Sequence, residues 1–116
     1  MLKNKPKDFL IISGDDDLAV GVILAGAVGV ISVLGQGFPK EFSKMIRLAL
    51  DGKAKEAYEI HFKLMDVIDY IFEENNPAGI KTVLDCLEIC KKEVRLPLVI
   101  ATEDLQVKIA DFIANY

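Results

Sequence analysis

Apolar residues gather first in two short, dense runs and then spread to a helical spacing from about Pro39 onward. Phe9–Ser13 reads FLIIS and is followed by Gly14; Val28–Val33 reads VGVISV. Brief, nearly unbroken apolar runs of this kind suit parallel strands covered on both faces. Between them, Asp15–Asp17 opens a helical stretch predicted to reach about Leu24, which Gly26 ends. Strand, helical crossover and strand together predict a right-handed βαβ unit.

The helical pattern then holds to the end of the chain. Pro39 suits a first helical turn, and Phe42, Met45, Ile46, Ala49 and Leu50 fall on one face until Asp51-Gly52 breaks the period. A long helix is predicted from about Ala54 to Phe72, with Ala57, Leu64, Ile68 and Ile71 inward and Met65 and Phe72 alongside. After a turn at Glu73–Pro77, Ile80, Val83, Leu84 and Leu87 mark a third helix. Arg95-Leu96-Pro97-Leu98 is predicted extended, because a residue before proline is steered away from helix. Thr102 caps a last helix with Glu103 and Asp104 in its first turn, and Leu105, Ile109, Phe112 and Ile113 form its buried stripe.

Two parallel strands need cover on both faces and both edges. Composition sharpens the point. Hydrophobic residues make up 52% of the 116 residues before glycine is counted, against about 45–50% with glycine in an ordinary domain. The surplus calls for burial against a missing segment, a partner chain or a membrane. Leu18–Phe38 carries no charge and is long enough to span a bilayer, and Gly21, Ala25 and Gly29 are spaced as in membrane helix pairs. Five glycines and the β-branched cluster Val28–Val33 favour a buried strand instead, so no membrane partner is expected.

Charge and cysteine content exclude further classes. The net charge is −4 and the basic residues form no single face, so nucleic acid is not an expected partner. Phe9–Ile12 is too short for a signal-peptide core. Cys86 and Cys90 are the only cysteines, which fits a reducing, cytoplasmic setting. At i and i+4 of a predicted helix, they are expected as buried small hydrophobes rather than zinc ligands.

Candidate chemistry sits where the two strands end. The carboxyl ends of parallel strands face the active site in barrels and open α/β sheets. Ser13-Gly14-Asp15-Asp16 and Ile31-Ser32-Val33 occupy those ends. Gly14 would let a ligand approach the backbone, or simply serve a strand-to-helix turn. The three aspartates read as capping and helix-dipole partners, and adjacent carboxylates cannot all converge on one metal. Ile31-Ser32-Val33 offers main-chain groups to the same mouth, or is a plain buried strand. His61 reads as a packed histidine. Lys81 is the best amine in the chain for an imine, but it falls in the helical tail rather than at a strand end.

Four blocks, in order, resemble the carboxy-terminal part of the dihydrodipicolinate synthase family: Ser13-Gly14-Asp15-Asp16, Gly29-Val30-Ile31-Ser32-Val33, Asn76-Pro77 followed by Lys81, and Arg95-Leu96-Pro97-Leu98. The resemblance covers nearly the whole chain. Sialic-acid lyases share the fold but usually differ at the first two blocks. The resemblance implies an α/β fold: the last two parallel strands of a TIM (β/α)8 barrel with their helices in residues 1–52, then a three-helix carboxy-terminal domain in 53–116. A complete barrel needs roughly 250 residues, so the chain is expected to be a piece of a longer enzyme.

The family condenses pyruvate with aspartate semialdehyde through a lysine Schiff base on the route to lysine, without cofactor or metal. On the resemblance, Gly14 lies beside the substrate pocket and the main-chain carbonyl of Ile31 lines the pyruvate site. Ser13, Asp15, Asp16, Ser32 and Val33 support them. The Schiff-base lysine and the relay tyrosine would lie upstream of Met1, so this chain alone is expected to be inactive. Its expected partner is the missing amino-terminal barrel segment or further copies in a homo-oligomer; the alternatives are a self-assembling half-barrel module or a related pyruvate aldolase such as a sialic-acid lyase. An extra acid at Asp17, Ala27 in place of a common glycine and Gln36 in place of a common asparagine depart from the family pattern.

Overall fold

A computed structural model describes residues 2–116 of the chain. The chain packs as two compact units, residues 1–63 and 64–116.

In the first unit, β1 (Ile12–Ser13) and β2 (Gly29–Val30) pair in parallel, with Ile12 opposite Gly29 and Ser13 opposite Val30. The Val28 amide donates to the Ile11 carbonyl and the Ile31 amide to the Ser13 carbonyl, each at 2.9 Å. The crossover is α1 (Ala19–Leu24), so the predicted βαβ order holds. The strands are shorter than the apolar runs that announced them. Two features explain this. Among the described residues, the pair has no third strand to extend the ladder, and the runs are not covered: Phe9, Leu10, Ile12 and Ile31 are each half exposed or more.

The triple acid does not open α1 as expected. The helix starts at Ala19 with no acid in its first turn, and the aspartates form the turn before it. Asp15 Oδ1 accepts from the amides of Asp17 (3.0 Å) and Leu18 (3.3 Å), so the turn closes on itself before the helix begins. At the other end, Gly26 takes φ 115°, and the Ala27 amide reaches back to the Val22 carbonyl at 3.1 Å. That conformation is open to glycine and costly for other residues.

α2 (Pro39–Leu50) begins on its proline as predicted. Phe42, Met45, Ile46 and Ala49 pack inward against Ala19, Val20 and Ile23 of α1, while Leu50, placed on the same stripe by its spacing, is half exposed at the helix end. Gly52 at φ 75° turns the chain into α3 (Ala54–Glu73), whose first half buries Ala57 and His61 in this unit. The uncharged stretch Leu18–Phe38 is thus a helix, a turn, a strand and a 3-10 turn at Leu34–Gln36. Among the described residues, no helix is long and apolar enough to cross a membrane.

In the second unit, the rest of α3 buries Leu64, Val67, Ile68 and Ile71, leaving Met65 and Phe72 on its outer side. α4 (Ala78–Cys86) crosses it at Gly79, where an added Cβ would fall 2.4 Å from the Ile71 Cα and 2.5 Å from its carbonyl oxygen. Only a residue without a side chain permits that approach. α5 (Glu103–Asn115) packs on α4 through Leu105 and Ile109; Phe112 and Ile113 are half-buried rather than buried. Thr102 caps α5, its hydroxyl accepting from the Leu105 amide at 3.4 Å.

Two expectations fail in this unit. Arg95–Leu98 is not extended but a tight turn over a cis Leu96-Pro97 bond, closed by the Leu98 amide on the Arg95 carbonyl at 3.0 Å. Cys86 and Cys90 do not share a buried helix face: α4 ends at Cys86, and both thiols are free and exposed.

Candidate active site

Parallel pairing sets the loops after β1 and β2 side by side, because both strands leave the sheet at the same end. Every residue singled out in the first loop is therefore a neighbour of the second. Ser13 is buried at the end of β1, and its hydroxyl turns back to the Asp15 backbone, donating to the carbonyl at 3.0 Å. Ser32 does the same work in the other loop, accepting from the Gly35 amide at 2.8 Å. Both hydroxyls are committed to shaping loops.

Asp16 ties the two loops together. It is buried, with 2% of its surface exposed. Its Oδ2 accepts from the Val33 amide at 3.0 Å and the Leu34 amide at 2.8 Å. A carboxylate held by two main-chain donors is a charge-assisted clamp, about twice as strong per bond as a neutral pair. Its Oδ1 is also buried and has no hydrogen-bond partner among the described residues. The clamp holds the segment that begins with Ile31, so Asp16 sets where that main chain lies.

Gly14 and Ile31 are both exposed where the strands end. A Cβ on Gly14 would meet nothing within 4 Å, and its backbone is not in the left-handed region. Neither a turn nor packing among the described residues requires glycine there. Ile31 is 75% exposed, which a plain buried strand does not explain.

The three aspartates diverge. Asp15 closes its own turn, Asp16 points inward, and an Asp17 oxygen lies 3.6 Å from Nε2 of buried His61. Tyr58 stands edge-on to the same imidazole, 5.6 Å between ring centres. No group of three metal-ligating side chains forms among the described residues. Sequence reasoning missed both the Asp16 clamp and the Asp17–His61 pair. The first has no sequence signal, because its partners are backbone amides that every residue carries. The second needed the turn that projects Asp17 toward α3, which a continuous helix from Asp15 would not provide.

Lys81, the expected best amine, lies in α4, half-buried, and donates to Cys90 Sγ at 3.5 Å. Among the described residues, it makes no ion pair with a carboxylate.

The whole chain, residues 1–116, matches the dihydrodipicolinate synthetase family. It is 55% identical over 105 residues to the 4-hydroxy-tetrahydrodipicolinate synthase of Flavobacterium psychrophilum, covering 90% of this chain and 36% of that protein. The crystal structure of dihydrodipicolinate synthase from Aquifex aeolicus superposes with a TM-score of 0.94 at 37% identity, covering 99% of this chain and 39% of that one. The chloride-inhibited enzyme of Acinetobacter baumannii, crystallised with pyruvate, superposes with a TM-score of 0.88 at 27% identity over 92% of this chain and 37% of that one. The chain thus spans little more than a third of the length of these relatives. The matched third is the carboxy-terminal part of a TIM-barrel enzyme: the last two barrel strands, here β1 and β2, with their helices, followed by a helical carboxy-terminal domain. With the match running from the first residue to the last and the fold shared, the chain belongs to the dihydrodipicolinate synthetase family.

Proposed function

We propose that this chain supplies the closing strands and helical appendage of a lyase that condenses pyruvate with aspartate semialdehyde, in the synthesis of lysine by way of diaminopimelate. Residues 1–52 contribute strands seven and eight with their helices, and 53–116 the helical domain. The observation that carries this reading is the pair of adjacent strand-end loops, with Gly14 and Ile31 exposed and the segment just after Ile31 held by Asp16 at the Val33 and Leu34 amides. Gly14 leaves room for substrate beside the main chain, and the Ile31 carbonyl accepts from it. Ser13, Asp15, Asp16, Ser32 and Val33 hold that geometry without touching the reacting atoms.

In this reading, the imine acts as an electron sink formed on a lysine of the preceding barrel strand. Such a lysine must sit in a pocket that lowers its pKa. Lys81 belongs to α4 rather than to a strand end, Tyr58 and Tyr70 belong to α3, and Tyr116 follows α5. The chain by itself therefore does not catalyse the condensation. Borohydride reduction with pyruvate tests this. The 116-residue chain alone acquires no adduct; mixed with the amino-terminal barrel segment of a relative, the adduct maps to a lysine of that segment. An adduct on Lys81 refutes the assignment.

A second reading is supported by the exposed apolar residues Phe9, Leu10, Ile12, Val28 and Ile31 around the strand pair. They fit a half-barrel that assembles with copies of itself. A single, defined oligomer by sedimentation favours that module. Association only with the complementary segment favours the lyase.

A further inference from the structure

The end of α4 folds back on itself. Glu88 adopts φ 57°, and the amides of Ile89 (2.9 Å) and Cys90 (3.4 Å) both point to the Leu84 carbonyl. This is the backward hydrogen bonding that closes many helices. It returns Cys90 to the side of the helix that carries Lys81, nine positions earlier, and Lys81 Nζ meets Cys90 Sγ at 3.5 Å. The thiol is exposed, so a small oxidant reaches it, while Lys81 is half-buried and held beside it. No step of the proposed condensation uses either group.

We propose that Lys81 and Cys90 form an oxidation-dependent crosslink, a sulfur–nitrogen bond made when peroxide oxidises the thiol. The Cys90 thiolate attacks one peroxide oxygen, the oxygen–oxygen bond breaks, and hydroxide leaves and is protonated to water. The sulfur is now a sulfenic acid, oxidised by two electrons while peroxide is reduced. Lys81, having given its ammonium proton to solvent, attacks that sulfur through its nitrogen lone pair. The sulfur–oxygen bond breaks, and the departing hydroxide takes a proton from nitrogen and leaves as water. This second step exchanges one bond for another with no further redox change. A nucleophile already placed beside the reacting sulfur needs no encounter, which favours it over solution thiols. Cys86 is the poorer competitor for oxidation. Partial burial and then the neighbouring Asp85 carboxylate push its thiol up, so less of it is thiolate near neutral pH. The product ties the middle of α4 to the loop beyond its end.

The test is peptide mapping of the full 116-residue chain after hydrogen peroxide treatment. The expected product is lighter by two hydrogen atoms, restored by dithiothreitol, with Lys81 and Cys90 in one joined peptide. In denaturant, where the fold no longer pairs them, the joined peptide is absent. Cys86→Ser keeps the link; Cys90→Ser abolishes it. Lys81→Arg, which keeps the cation beside the sulfur but cannot bond to it, abolishes it too. A disulfide between Cys86 and Cys90, or Cys90 oxidised to sulfinic acid beside an unmodified Lys81, overturns the proposal.

Discussion

The carboxylate of Asp16 accepts a hydrogen bond of 2.8 Å from the amide of Leu34, eighteen positions further along the chain. Because the same oxygen holds the Val33 amide, one side chain from the loop after β1 determines the path of the loop after β2.

Replacing Asp16 by alanine leaves both amides without their acceptor. A hydrogen bond to a charged group contributes about 2 kcal/mol, a factor of roughly thirty in an equilibrium. Hydrogen exchange of the Val33 and Leu34 amides is expected to accelerate by that order, with less change in the α2 amides. Asp16→Asn, which keeps an acceptor oxygen, has a smaller effect. Unchanged exchange at both amides in the alanine variant would show that the clamp does not hold the loop.

Gly79 tolerates no side chain. A methyl group there must displace the α3 backbone at Ile71 rather than a flexible side chain. Gly79→Ala is expected to destabilise the second unit by about 3 kcal/mol, the upper part of the range for overpacking. The gain in helix propensity from alanine, about 1 kcal/mol, does not offset it. Urea unfolding followed by circular dichroism measures the net cost; a variant as stable as the parent contradicts the close crossing.

The Thr102 cap responds to acid through Glu74. The carboxylate accepts from both the Thr102 hydroxyl and its amide, the latter at 2.9 Å. The hydroxyl bond, then the amide bond, holds the Glu74 pKa below its ordinary value. A carboxylate whose pKa is depressed by folding stabilises the fold at pH above its unfolded pKa, and that contribution is lost as pH falls through the lowered folded value. The second unit is therefore expected to lose stability on acidification through and below the ordinary glutamate range. Glu74→Gln should flatten that slope. Thermal unfolding between neutral and acidic pH compares the two, and an identical pH dependence counts against the link.

The open strand face is expected to drive association. Leu10 is 64% exposed and Ile12 50% exposed beside a strand edge that is unpaired among the described residues. Charged residues at such edges block edge-to-edge pairing. Leu10→Lys with Ile12→Lys is expected to shift the purified chain toward monomer in sedimentation with little change in helical signal. It should also weaken binding of a complementary barrel segment. Undiminished self-association would place the sticky surface elsewhere.

Much of this architecture was legible from residue order. The helices α2, α3 and α5 announced themselves because an amphipathic helix writes its buried face at i, i+3, i+4 and i+7. Pro39, Gly26 and Thr102 marked boundaries through backbone and capping chemistry that acts within a few residues. The order of strand, crossover and strand was readable for the same reason. The four blocks that resemble the family pointed to the same fold that the comparisons show.

Tertiary structure decided what depended on partners distant in the chain. Asp15, Asp16 and Asp17 are chemically alike and adjacent. They part ways only because one closes a local turn, one is drawn to amides at Val33 and Leu34, and one is turned toward His61. The apolar runs predicted strands, but ladder length and burial depend on neighbouring strands, so Ile12 and Ile31 stand exposed where their composition implied a covered sheet. Cys90 was placed on a helix by its spacing from Cys86 and was carried instead to Lys81 by a backbone reversal. Local propensity and periodicity act over one or two turns of chain. The clamp, the crossing at Gly79 and the lysine–cysteine contact arise from packing, which brings together groups that no short window of sequence contains.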